Sequence, residues 1–180
     1  MMHPAISNLS VMLGMSDAQG DVIDWDELAR TTGLRLPADY RDFVVVYGGG
    51  ELNEYLAFRT PPANGSPSGR LLEGLDFDPR EEPQSDSEGR SQVLSEARIL
   101  PFATTINGDM AFWICDSTDP EGWEVVVFKR QPRYGTDPWT RFEMGFGEFL
   151  VGLLDGTVPN PFSDGSWNDP PHTYQNWREY

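Results

Sequence analysis

The six residues Met110-Ala111-Phe112-Trp113-Ile114-Cys115 are apolar without interruption. Successive side chains of a strand point to opposite faces, so a strand of this composition needs cover on both sides. Met110, Phe112 and Ile114 fall on one face, and Ala111, Trp113 and Cys115 on the other. The segment therefore belongs inside a covered sheet, and the rest of the chain has to supply the neighbours and the cover. Ile99 to Ile106, the dipeptide Asn107-Gly108 and Asp109 to Asp116 read as a hairpin with a two-residue turn. Ser117 to Gly122 reads as a turn into a further strand, Trp123 to Lys129, through the β-branched run Val125-Val126-Val127. Tyr55 to Phe58 reads as another strand, stopped by Pro61-Pro62.

Helical periodicity flanks this β-rich middle. Ile6, Leu9 and Leu13 sit at helical spacing within residues 5–15. Asp24-Trp25-Asp26-Glu27 reads as a capping arrangement, with Asp24 at the N-cap and Glu27 three residues on. Trp25, Leu28 and Ala29 share a face of that helix, and Gly33 stops it. Pro37 suits the first turn of the next helix, where Tyr40, Phe43, Val44 and Tyr47 follow i, i+3, i+4, i+7. Arg41 and Asp42 point away from that stripe, and Gly48-Gly49-Gly50 closes the helix. Phe146, Phe149, Leu150, Leu153 and Leu154 form one apolar stripe over Gly145 to Leu154, closed by Asp155-Gly156. Between 61 and 91 lies a long loop, first rich in Pro, Gly and Ser, then carrying seven acids and two arginines from 71 onward. Leu71, Leu72, Leu75 and Phe77 pin its first part to the core, and the remainder is expected to be mobile. The stretch 157–180 is a Pro- and aromatic-rich tail that either wraps the domain or hangs free.

The net charge of −16 excludes whole classes of partner. Phosphate neutralisation by such a chain is unfavourable, so nucleic acid is not expected, nor is an anionic membrane surface. A basic protein is what this field attracts. The single cysteine rules out an intrachain disulfide framework, and no apolar run suits a signal peptide or membrane span, so a cytoplasmic protein is expected.

No catalytic constellation stands out. The two histidines, His3 and His172, lie near opposite ends, and neither HExxH nor CxxC occurs. His172, flanked by prolines, reads as an exposed solvated residue. Cys115 reads as a small core hydrophobe rather than a nucleophile. The glycine run follows a helix, not a strand, and no Lys-Ser/Thr follows it, so it is not a phosphate loop. The carboxylates fall mostly on polar helix faces or in loops, where a solvated surface is the default. Asp164-Gly165 with Asn168 and Asp169 lacks the EF-hand spacing. Trp113, Trp123 and Trp139 suit a core better than a ligand pocket. No cofactor, metal or catalytic residue is expected.

These segments together resemble a known family. Leu36-Pro37-Ala38-Asp39-Tyr40-Arg41-Asp42-Phe43 followed by Gly48 to Gly50 resembles the LP-x-D-Y-x-x-F … G-G signature of the SMI1/KNR4 family of the SUKH superfamily. Trp25 matches its N-terminal tryptophan helix. Leu100-Pro101-Phe102-Ala103 leading to Gly108-Asp109, then Trp123 to Phe128, are similar to its strands, and Phe146-x-x-Phe149-Leu150 to its closing helix. The resemblance divides the chain into an N-terminal helical extension (1–20), an SMI1/KNR4-like domain (21–156) containing the long acidic loop 61–91, and the tail. It implies an α+β fold with N-terminal helices, a central, largely antiparallel β-sheet and a C-terminal helix packed on it.

The resemblance also implies a role. Bacterial members look like non-enzymatic immunity proteins that bind and neutralise a cognate polymorphic toxin, often a nuclease or deaminase. Fungal members are regulatory scaffolds. An acidic surface steering toward a basic toxin fits the charge, and the candidate partner-binding residues are Glu51, Glu54, Asp76, Asp78, Glu81, Glu82, Glu121 and Glu124. The alternatives are a regulatory protein-interaction scaffold without a toxin partner, and an enzyme or small-ligand binder, which needs a deep pocket with paired acids.

Overall fold

A computed structural model of the chain describes residues 1–14, 19–63, 65–73, 78–80, 94 and 96–180. Its strands are β1 (Gly50–Leu52), β2 (Leu56–Phe58), β3 (Ile99–Thr105), β4 (Met110–Ile114), β5 (Glu124–Phe128), β6 (Trp139–Phe142) and β7 (Tyr174–Asn176). They form one antiparallel sheet in the order β6-β5-β4-β3-β2-β1-β7. The first six make a meander in which each strand lies beside the next. β7 comes back from the tail to pair with β1, Glu51 opposite Gln175. β4 is interior and all five of its residues are buried, as its two apolar faces demand.

The helices are α1 (Pro4–Leu13), α2 (Trp25–Thr32), α3 (Ala38–Tyr47) and α4 (Phe146–Asp155). The architecture is therefore α+β, with helices before an antiparallel sheet and α4 after its sixth strand. α1, α3 and α4 pack on one another and cover the face of the sheet that carries Ala111, Trp113, Val125 and Val127. Phe146 is the hub of this layer. Its ring meets Tyr40, Phe43 and Phe102 at centroid distances of 5.2 Å each, edge-on, and Trp113 at 6.0 Å. The opposite face holds a second, smaller cluster of Met110, Phe112, Ile114, Val126 and Phe128. Leu94 and Ala97 bury it together with Trp139 at the rim.

Two local features depart from the sequence-based reading. The hairpin after β3 is longer than a two-residue turn: the Gly108 N–H donates to Thr105 O, and the Thr105 N–H donates to Asp109 O. Gly108 alone takes a positive φ, 84°, whereas a two-residue Asn-Gly turn needs both residues there. Asp109 enforces the wider turn because its carboxylate is held elsewhere, as described below. At α2, Asp24 caps as expected by accepting from the Glu27 N–H at 2.9 Å. The Glu27 side chain does not complete the box but turns to Arg30, 2.7 Å away.

Pro101 sits inside β3 because a bulge there interrupts the ladder between Pro101 and Ala103. The bulge also sends both Phe102 and Ala103 into the helix-side core. The tail wraps the domain. Tyr55 stacks on Trp167 at 5.2 Å and accepts a hydrogen bond from the Asp164 N–H.

Candidate functional site

Three carboxylates are not on the surface at all. Asp39, in the Leu-Pro-x-Asp-Tyr stretch, accepts from its neighbour Tyr40 N–H at 2.6 Å and from Gly147 N–H at 2.7 Å. It thereby caps the N-terminus of α4 from another helix, where Gly145 offers no side chain. Burial pushes its pKa above the usual 3.8, partly opposed by those two backbone bonds. Asp109 is fully buried and accepts from Arg130 N–H, Ser163 N–H and Ser163 Oγ. It ties the β3–β4 turn to the end of β5 and to the tail. Asp21 accepts from Gly49 N–H at 2.8 Å, from Trp177 Nε1 at 3.0 Å and from Arg178 at 2.8 Å.

The glycine run is therefore more than a helix stop. Tyr174 Oη donates to Gly48 O, Asn176 Nδ2 to Tyr47 O, and Trp177 N–H to Gly49 O. A Cβ at Gly50 would collide with the Gln175 carbonyl, and one at Gly49 with Ser68. The tail docks where only bare backbone leaves room.

Among the acids read as partner-binding, Glu51 and Glu124 lie on the same face of the sheet. Glu51, Ala57, Thr104, Met110 and Phe128 form one cross-strand row. Glu124 pairs with Ile114 on that face, four residues along from Phe128. Four strand spacings separate β1 from β5, so the two acids stand at diagonal corners about 20–25 Å apart. Glu54 is exposed beside Glu51 in the β1–β2 turn and takes a positive φ of 53°. Glu124 is half-buried in an ion pair with Arg141. Asp78 is held by Arg80 at 2.6 Å, which lowers its pKa. Arg80 also donates to the carbonyls of Leu94 and Ala97, tying 78–80 to the cover of the second cluster. Asp76, Glu81 and Glu82 lie outside the described residues, as do Leu75 and Phe77.

Glu121 stands differently. It is exposed on a short turn of helix, Pro120–Gly122, and accepts from the Ala38 N–H at 2.8 Å. That bond supplies the cap that Pro37 cannot give α3. Pro37 is in fact the N-cap residue rather than a first-turn one. Around Glu121 opens a cavity of about 250 Å³ between α2, the start of α3 and this turn. Trp25, Leu34 and Leu36 line it, with Asp26 and Asp119 at its rim. Arg41 Nε is buried and without a hydrogen-bond partner among the described residues. An unmet buried donor costs about 1–3 kcal/mol. Arg41 is not among the buried residues of the α3 stripe, and no pattern in the chain distinguishes it from an ordinary surface arginine.

The remaining candidates are structural. His172 is half-buried rather than exposed, with Nε2 3.1 Å from Leu154 O. Cys115 is buried, and desolvation pushes its thiol up to about 12. Trp113 and Trp123 belong to the helix-side core, and Trp139 packs on Phe112 and Phe128. Asp164 accepts from its own turn through Ser166, which holds its pKa low. Among the described residues no three acids, histidines or cysteines cluster to hold a metal, and no helix is long and apolar enough to cross a membrane.

Neither a curated protein nor a solved structure matches the chain. A family model does: that of the SMI1 / KNR4 family (SUKH-1), over residues 21–152. The matched span runs from the buried Asp21 into α4 and holds β1 to β6. It contains both ends of the Asp39–Gly147 hydrogen bond, so the Leu-Pro-x-Asp-Tyr motif and the closing helix are joined within it. With this order of helices, meander and covering helix, the chain belongs to the SMI1/KNR4 family (SUKH-1).

Proposed function

We propose that this protein is a non-enzymatic, cytoplasmic immunity protein, one that binds and neutralises a cognate polymorphic toxin with a basic, nucleic-acid-handling surface of the nuclease or deaminase kind. The observation that carries the reading is a net charge of −16 on the fold of a family known for immunity proteins. Those acids steer the encounter with a basic partner, and steering raises the association rate more than it tightens the complex.

The acids are unequal in this role. Glu54 and Glu121 are exposed and carry no ion pair among the described residues, and the exposed Asp119 adjoins Glu121. Glu124 and Asp78 are already engaged by Arg141 and Arg80. We therefore place the centre of the contact at the β4–β5 connection, with Glu51 and Glu54 as a second, distant acidic corner.

The test is co-expression with the toxin encoded beside this gene. A complex that forms and restores growth is expected, with an association rate that falls steeply as salt rises. Glu121→Lys with Asp119→Lys should slow association by about tenfold or more, while Glu51→Lys has a smaller effect. Absence of both complex and rescue with the neighbouring toxins would sink the proposal.

A further inference from the structure

Two valines stand in the solvent on the helical side of the molecule. Val22 is 82% exposed and Val45 56%, whereas the valines of β5 are almost wholly buried. Val45 lies on the outer face of α3, away from the buried stripe of Tyr40, Phe43, Val44 and Tyr47. A β-branched residue at a solvent-facing helical position contributes neither packing nor good helix propensity. The backbone brings the two together. The Asp21 N–H donates to Val44 O at 2.9 Å, and Gly20 passes so close to Val45 O that a Cβ there would collide with it. Single exposed apolar residues are ordinary, whereas an apolar patch rimmed by polar groups marks a contact surface.

The rim of this patch is acidic. Asp24 and Asp26 flank Trp25, and Asp42 precedes Val45 by three residues, beside it on the helix. Two turns before Val45 on the same face, the Ala38 N–H donates to Glu121, so the face runs on into the acidic β4–β5 connection. With Asp119 beside Glu121, these acids outnumber Arg35 and Arg41, the arginines of this side. An apolar centre inside a charged rim is the layout of a protein–protein contact, and the sign of the rim calls for a basic partner. We infer that the outer face of α3, with the segment 20–25 lying along it, is the surface on which the toxin docks, seating on Val22 and Val45 an aliphatic side chain flanked by lysines or arginines. The inference rests on the reading that the protein neutralises a basic toxin. It divides the labour within that contact: the acids set the rate of encounter, and the valines hold the complex once formed.

The experiment measures association and dissociation rates between the full-length protein and the toxin encoded beside its gene. Val22→Ser with Val45→Ser leaves the net charge unchanged. The double variant should dissociate about tenfold faster or more, through lost apolar burial, while its association rate stays within about twofold. Ile106→Ser, at a residue 74% exposed in the β3–β4 turn, is the control and should change neither rate. In the unaltered protein the methyl resonances of Val22 and Val45 should shift when the toxin binds, and that of Ile106 should not. An unchanged dissociation rate in the double variant overturns the inference and leaves the immunity reading intact. So do unshifted Val22 and Val45 methyls in a complex that forms, whatever the folding of the variant. No complex with the unaltered protein overturns both.

Discussion

Replacing Asp21 with alanine tests whether a single buried carboxylate holds the tail onto the glycine run. The substitution removes the acceptor of the Gly49 N–H, of the Trp177 indole N–H and of Arg178. Gly49 is buried, and a hydrogen bond from a backbone N–H to a charged acceptor contributes about 1.5–3 kcal/mol. Trp177 is half-buried, so its share is about 1 kcal/mol. The Arg178 side chain is 33% exposed and rehydrates when released, so its ion pair adds only about 0.5 kcal/mol after screening. The sum is about 3–4.5 kcal/mol, a large part of a typical stability of about 5–15 kcal/mol. With a urea dependence of about 2 kcal/mol per molar, the unfolding midpoint should fall by about 1.5–2 M. Arg178→Ala is the control and should cost less than about 1 kcal/mol. Amide exchange should accelerate at Gly49 and at Trp177, whose N–H donates to Gly49 O. If Asp21→Ala shifts the midpoint no more than Arg178→Ala does, the carboxylate is not what fastens the tail.

Gly147→Ala should destabilise the protein by about 1–3 kcal/mol in the same assay, because the added methyl would come within 2.7 Å of the Ala5 Cβ and 3.3 Å of Asp39. A neutral result would show that α1 can move off α4 freely. Burial raises the Asp39 pKa, so its carboxyl carbon should titrate in NMR with a midpoint above 3.8. The sign follows: its contribution to stability is greatest below 3.8 and is lost as pH rises through the folded value. A midpoint at or below 3.8 would contradict the burial argument. With its thiol pushed up to about 12, Cys115 should react with iodoacetamide at pH 8 at least about a thousandfold more slowly in the native protein than in urea. Comparable rates would mean that β4 opens to solvent.

The parts of the fold legible in the sequence are those whose residues announce their own surroundings. Met110 to Cys115 could only be an interior strand, and Phe146 to Leu154 could only be a helix with one broad buried stripe. β1, β6 and β7 are three or four residues long with no marked alternation, and they are strands because of their partners. β7 pairs with residues more than a hundred positions earlier, a relation that no local window contains. The carboxylates misled for a related reason. Asp21, Asp39 and Asp109 have the composition of surface residues, and their burial is set by backbone N–H groups brought from elsewhere in the chain. The family motif did contain Asp39, but its physical meaning, a cap for a helix more than a hundred residues later, becomes visible only in three dimensions. The Arg41 Nε, buried and without a partner among the described residues, is not legible in the chain, because it differs from that of a solvated arginine only in what surrounds it.

The two rims of the sheet have a consequence for recognition. β7 has three residues and runs straight into the helical turn Trp177–Glu179, while β6 has four and follows Pro138. Neither margin offers a long row of open peptide groups on which a visiting chain could zip itself. Whatever engages this molecule must read its side chains. A surface read in that way can change allegiance by a few substitutions while the framework beneath stays as it is.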